Sequence, residues 1–224
     1  MRSAPLFQDR EDAGRRLAGQ LQEHATAADV LVLGLPRGGV PVAYEVARAL
    51  GAELDVFIVR KLGVPGHEEL AMGAIASGDV VVLNEHVLAQ TGITDEALGE
   101  VAERERLELE RREHLYRGDR PLPEITGRTI ILIDDGLATG ASVRAAVAAL
   151  RRQQPGRLIV AVPVAAASTC DLLRPEVDEL ICLAVPNPFY GVGAWYADFS
   201  QTTDDQVRTL LEHARSFAGA HGHE

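Results

Sequence analysis

Apolar positions along the chain fall into short unbroken runs set between longer segments of mixed polarity. Residues 129–133 form one such run, bounded by Gly127 and by the acidic pair Asp134-Asp135. Residues 29–35, 54–59, 158–164 and 179–184 share its texture. Short, β-branched runs of this kind are how strands buried on both faces of a parallel sheet look. Between them, residues 42–50 (closed by Gly51), 141–153 and, briefly, 168–173 read as helices. Residues 7–24 space Ala13, Leu17 and Leu21 among charges, which predicts an amphipathic covering helix starting near Asp9 or Asp12, without function. Residues 84–91 and 94–116 are helical. The second carries Glu100–Arg104, Glu108–Arg112 and Glu113–Arg117 at i,i+4 spacing, mostly a solvated face, with a lid over the site as an alternative. Residues 71–76 and 80–83, separated by Gly78-Asp79, predict a β-hairpin, and residues 62–70 a mobile loop. Residues 204–217 read as a last helix with Leu210 and Leu211 inward. His221 and His223 fall on a frayed tail and are not expected to be ligands.

Strands alternating with helices predict a three-layer α/β/α fold with a mainly parallel sheet, as a single domain over residues 1–224. Residues 186–199 break the pattern with two prolines, two glycines and a cluster of aromatics. They are expected to form a small hood (about residues 186–200) beyond the last strand's carboxyl end, to which the N-terminal residues can contribute. A length of 224 residues is ample for a real core. No apolar run reaches the length of a membrane span, and the charged N-terminus lacks an apolar signal core. Cys170 and Cys182 lack metal-ligand spacing, so reduced thiols in the cytoplasm are expected. A net charge of −11 argues against a nucleic-acid partner. No dinucleotide-binding Gly-x-Gly-x-x-Gly follows the first strand, and no triphosphatase Gly-x-x-x-x-Gly-Lys is present.

The candidate chemistry lies in residues 130–142, where a strand leads into Asp134-Asp135, a small-residue loop with Gly136 and Gly140, and a helix. Thr139 and Ser142 stand where hydroxyls cap free N–H groups. Free amides and the positive end of a helix dipole bind anions. Two carboxylates beside that cradle would repel a bare phosphate, so the fitting ligand also carries hydroxyls or a cation: a sugar phosphate with Mg²⁺. The plainer alternative is a turn with a solvated Asp pair. A second strand–turn–helix holds Arg37-Gly38-Gly39, and two glycine-bearing loops at strand ends can share one crevice. Arginine suits a diphosphate there.

Residues 130–142 resemble the signature of type I phosphoribosyltransferases that binds phosphoribosyl pyrophosphate (PRPP): a hydrophobic run, then Asp-Asp-x-x-x-Thr-Gly-x-Ser/Thr. The resemblance implies displacement of pyrophosphate from C1 of PRPP by a nitrogenous acceptor, with inversion. It implies that Asp134, Asp135, Arg37 and Lys61 are catalytic. It also implies that PRPP is held by Gly38, Gly39, Asp134, Asp135, Gly136, Leu137, Ala138, Thr139, Gly140, Ala141 and Ser142. Mg²⁺ is the expected cofactor, met by Asp134 and Asp135 indirectly, through ribose or water. The family's pyrophosphate loop, often with a cis non-proline peptide, matches Arg37-Gly38-Gly39, and one of its strands runs antiparallel at the sheet edge. Phe189, Gly193 and Asp198-Phe199 resemble the base-contacting hood of 6-oxopurine enzymes, giving Phe189, Trp195 and Asp198 as acceptor-binding candidates. Trp195 and Tyr196 could equally be packing. Ala138, however, replaces the Asp of those enzymes, as in adenine-type signatures, so a 6-oxopurine acceptor is not expected. Asp198, Glu68 and Glu69 remain as candidate bases. The expected partners are PRPP and a small nitrogenous acceptor, with a homodimer left open and neither nucleic acid nor membrane. A PRPP-sensing regulator and a receiver-like or phosphatase module are the other classes.

Overall fold

In the computed structural model, residues 4–24 and 29–218 are described. They run through α1 (Arg10–Gln20), β1 (Val30–Gly34), α2 (Gly39–Leu50), β2 (Glu53–Val56), β3 (Val59–Val64), β4 (His67–Ala76) and β5 (Val80–Leu83). There follow α3 (Glu85–Thr91), α4 (Asp95–Arg117), β6 (Thr129–Ile133), α5 (Ala141–Arg152), β7 (Arg157–Val164), α6 (Ala167–Leu173), β8 (Glu179–Ala184) and α7 (Asp204–Ala218). The tail with His221 and His223 lies outside the described residues.

The main sheet has the order β2-β1-β6-β7-β8, and every neighbouring pair is parallel. Successive side chains of a strand point to opposite faces, and both faces here are buried. Val30 and Val32 of β1, Ile131 and Ile133 of β6, and Ile159 and Ala161 of β7 enter one core with α1, α2 and α7. Leu31, Leu33, Ile130, Leu132, Leu158 and Val160 enter the other, with α5 and α6. The fold is thus α/β with helices on both faces of a parallel sheet.

Three expectations are corrected. Residues 54–59 are not one strand. The chain leaves the main sheet at Phe57 and Ile58, whose amides turn to Gly34 O at 3.1 Å and Ser77 Oγ at 3.0 Å, and whose side chains fill opposite cores. Residues 62–70 are no open loop, because β3 and β4 pair antiparallel around Pro65-Gly66, with Val64 opposite His67. The antiparallel strands do not edge the main sheet either: β3, β4 and β5 form a sheet of their own. On α4, the Glu108–Arg112 and Glu113–Arg117 pairs form, whereas Arg104 turns to Glu105 instead of Glu100. Arg117 is not on a solvated face. Its guanidinium is buried against Asp55 at 3.1 Å and Val56 O at 2.8 Å, tying α4 to β2.

Candidate functional site

The chain passes from β1 to β2 on one side and reaches β6 on the other. Strand order therefore reverses between β1 and β6, and ligands of open parallel sheets bind outside the carboxyl ends at such a point. Gly34 lies opposite Ile133, and the Leu35 amide donates to Ile133 O at 2.9 Å. Residues 36–39 and 134–140 thus lie side by side. The contact requires glycine twice. A Cβ on Gly38 would stand 2.0 Å from Asp135 Oδ2, and one on Gly39 would stand 2.7 Å from Ile133 O. The Pro36-Arg37 peptide is cis.

Asp134 Oδ1 accepts the Asp135 amide at 2.9 Å. Asp135 Oδ2 accepts both Nε and Nη2 of Arg10, each at 2.8 Å. Arg10 also donates through Nη1 to Ser200 O at 2.7 Å, and its guanidinium sits 3.9 Å from the ring centre of Phe199. The Tyr196 hydroxyl donates to Asp135 O at 2.6 Å. Burial pushes the Asp134 carboxyl well above the usual carboxylate range, and the charge of Asp135 pushes it further. Asp135 is raised as well, by burial, with Arg10 pulling against it. Burial, then Asp135, also raises the Tyr196 phenol, which stays a neutral donor.

Beyond the pair, the loop is tethered to β7. The Leu137 amide donates to Val164 O at 2.8 Å, Ala166 N donates to Leu137 O at 2.9 Å, and the Leu137 side chain is buried. The Thr169 hydroxyl donates to Ala138 O. Gly140, at φ 68°, is the N-cap of α5 and has no side chain to cap it; the Ala141 amide donates to Thr139 Oγ1 at 3.5 Å. Among the described residues, the amides of residues 138–140 and 142 find no hydrogen-bond partner. Of the two expected hydroxyl caps the Thr139 one is present but long, the Ser142 one is not seen, and the Leu137 amide is already committed to the sheet. What remains is a helix start with several free amides, the kind of place where anions bind.

The family model for the phosphoribosyl transferase domain matches residues 6–192, which takes in both loops. The chain belongs to the phosphoribosyl transferase domain family. It is 45% identical over 216 residues to "Putative phosphoribosyl transferase Rv0571c" of Mycobacterium tuberculosis, and equally to its counterpart in a second strain. The alignment covers 96% of this chain and 48% of the relative, so the chain spans about half the length of the curated relatives it matches. Among solved structures, TT1426 from Thermus thermophilus is 45% identical, with a TM-score of 0.82, covering 92% of this chain and 98% of that one.

Within this phosphoribosyl transferase chain, Arg37 and Pro36 line a cavity of about 360 Å³ together with Arg111, Arg112, Tyr116 and Asp204. Arg37 Nη1 is 3.9 Å from Asp204 Oδ2. Lys61 lies on β3 of the second sheet, exposed, and among the described residues its side chain makes no hydrogen bond or ion pair. Glu68 and Glu69 are exposed on β4. The structure thus brings Arg37, Gly38, Gly39, Asp134 and Asp135 together, and leaves Lys61, Glu68 and Glu69 without contact to them.

The hood includes the N-terminal residues. Leu6 and Phe7 amides donate to Trp195 O, Ala197 N donates to Phe7 O, and Asp198 N donates to Gln8 O, at 2.8–3.0 Å. Trp195 is 5% exposed and packed with Phe7, Ala13, Val164 and Tyr196, with Phe189 half-buried against them. Trp195 is therefore packing and offers no stacking face. Asp198 is exposed, and the Ser200 amide, at 2.8 Å, holds its carboxyl below the usual range. Arg10 has no individual signal in the sequence, Tyr196 reads there only as packing, and Phe199 enters only through the resemblance of Asp198-Phe199 to a base-contacting hood. Arg10 sits on the helix read as a mere cover. The one signal that could point to a residue of its kind is the net charge of −11, because an acidic protein that binds a polyanion needs local positive charge.

Proposed function

We propose that the protein transfers the 5-phosphoribosyl group of PRPP to a nitrogenous acceptor and releases pyrophosphate. The observation that carries this is the meeting of Asp134-Asp135 and the free amides of residues 138–140 and 142 with Arg37-Gly38-Gly39 at one switch point. Those amides, the Thr139 and Ser142 hydroxyls and the start of α5 hold the 5′-phosphate. Asp134 and Asp135 accept the 2′- and 3′-hydroxyls of the ribose and favour the positive charge that develops at C1. Arg37 and the Gly38 and Gly39 backbone hold the pyrophosphate, and Lys61, the residue matching the family's pyrophosphate lysine, would help stabilise its departing charge. The hood keeps water from the developing cation.

The residues fit Mg²⁺. Two adjacent carboxylates with raised pKa, only one of them met by Arg10, present hard oxygens short of positive charge. Asp134 and Asp135 would hold the ion indirectly, and it supplies neutralisation of the leaving pyrophosphate. Two unpaired thiols, Cys170 and Cys182, fit the cytoplasm. Among the described residues no helix is long and apolar enough to cross a membrane.

For the acceptor, Ala138 supports a base that needs no carboxylate at this loop. Phe189 and Asp198 line its approach, and the partly exposed ring of Phe199 takes the place first given to Trp195. Incubation with PRPP, Mg²⁺ and a mixed nucleobase pool, followed by pyrophosphate detection, is the test. Release that depends on one base supports transfer. Binding of PRPP without release with any acceptor turns the reading to a PRPP sensor, and no binding overturns both.

A further inference from the structure

At the opposite end of the sheet from the crevice, three side chains converge that the proposed reaction does not use. His24 follows α1, Glu23 precedes it in the same short turn, and Glu179 opens β8. His24 is 6% exposed, and among the described residues its Nε2 is buried without a hydrogen bond. That nitrogen points at two carboxylates, 3.4 Å from Glu179 Oε2 and 3.6 Å from Glu23 Oε1. The three donor atoms lie within 4.8 Å of one another.

These separations are too long for charge-assisted hydrogen bonds, which close to about 2.7–2.9 Å. The two distances from Nε2 match donors sharing one ion, because metal–nitrogen and metal–oxygen bonds of about 2.0–2.2 Å at a tetrahedral angle set donors about 3.4 Å apart. We infer that Glu23, His24 and Glu179 form a site for a divalent transition metal of the zinc class. One imidazole with two carboxylates suits Zn²⁺ or Co²⁺; Mg²⁺ and Ca²⁺ prefer all-oxygen shells. Arg157 donates to the same Glu179 Oε2 at 2.8 Å, which orients the carboxylate toward His24 and weakens its pull on a cation without using up its lone pairs. A cleft of about 420 Å³, lined by Gly19, Gln20, Gln22, Glu23, Glu179 and Ile181, leaves room for water as the fourth ligand. The ion would pin the end of α1 to the edge strand β8, and the site stands apart from the proposed transfer.

Titration of the metal-free protein with Co²⁺, followed by visible absorption and displacement by Zn²⁺, tests this. One equivalent with the intense bands of a four-coordinate ion is expected, unchanged when Asp134 and Asp135 are both replaced by Asn. Glu23 is 69% exposed, so Glu23→Gln should fold normally and bind at least about tenfold more weakly. His24→Gln should lose the bands. Absence of binding at millimolar Co²⁺ and Zn²⁺, binding unaltered in Glu23→Gln, or loss of the equivalent in the Asp134/Asp135 variant would each overturn the site. If His24→Gln fails to fold, Glu23→Gln decides.

Discussion

Arg10 and Asp135 stand 125 positions apart in the chain and meet in two contacts of 2.8 Å to a single carboxylate oxygen. Both side chains are largely enclosed, at 12% and 16% exposure, so removing one leaves the other charge poorly solvated. Arg10→Gln should destabilise the fold by about 3 kcal/mol, at the low end for a buried pair because some solvent remains. The check is urea denaturation of Arg10→Gln, Asp135→Asn and the double variant. A coupling energy below about 0.5 kcal/mol would show that the pair does not support the hood.

A second expectation concerns pH. Asp134 has a folded-state pKa above its ordinary value of 3.8, so the folded protein binds more protons there than the unfolded chain. Stability from this group is therefore greatest below 3.8, falls as pH rises through the folded pKa, and is flat beyond it. Asp134→Asn removes the cost. It should unfold at a higher temperature than the parent at neutral pH and at nearly the same temperature near pH 3.5, about where the unfolded carboxyl takes up its proton. A variant less stable than the parent at neutral pH would contradict this.

Tight glycine contacts make a third. In Gly39→Ala the new methyl meets Ile133 O at 2.7 Å and Asp134 Cα at 2.9 Å, both backbone. Neither can swing aside, so a loss of about 1–3 kcal/mol is expected, together with weaker PRPP binding. Thermal melts with and without PRPP separate the two effects.

The fourth is ligand linkage. PRPP with Mg²⁺ at about a hundred times its dissociation constant should add roughly 2.7 kcal/mol of stability. Asp134→Asn should abolish that shift while keeping the fold. A full shift in the variant would place the ribose elsewhere.

Hypoxanthine, guanine and xanthine should be poor acceptors, because the methyl of Ala138 can neither accept a proton nor hydrogen-bond a ring nitrogen. A turnover number for hypoxanthine near the usual enzyme median of about 10 per second would refute this.

Period and punctuation made the main sheet legible. An unbroken run such as Thr129–Ile133 between turn signals suits a strand buried on both faces of a covered parallel sheet, and that is how β6 is placed. The two glycine loops were legible because strand ends at a switch point must meet. Residues 57–58 were not, since a two-residue passage between sheets has the same apolar texture as a strand. Arg10 was not legible either, because its partner comes from a loop 125 positions away and no local spacing encodes that pairing. Trp195 failed for a related reason: an aromatic in an irregular segment looks the same in sequence whether it faces a ligand or Phe7.

The pairing of residues 6–8 with 195–198 also bears on how the protein is made. Phe7 bridges Tyr196, and at ordinary synthesis speeds of about 5–20 residues per second the first partner leaves the ribosome about 10–40 s before the second. Through that interval α1 can settle on α2, but Arg10 has no Phe199 to lie on and Asp135 has no Tyr196 above it. The site closes only once residues 195–199 have emerged. A chain ending before residue 195 would therefore leave the crevice open on the hood side and, without α7, one face of the sheet uncovered.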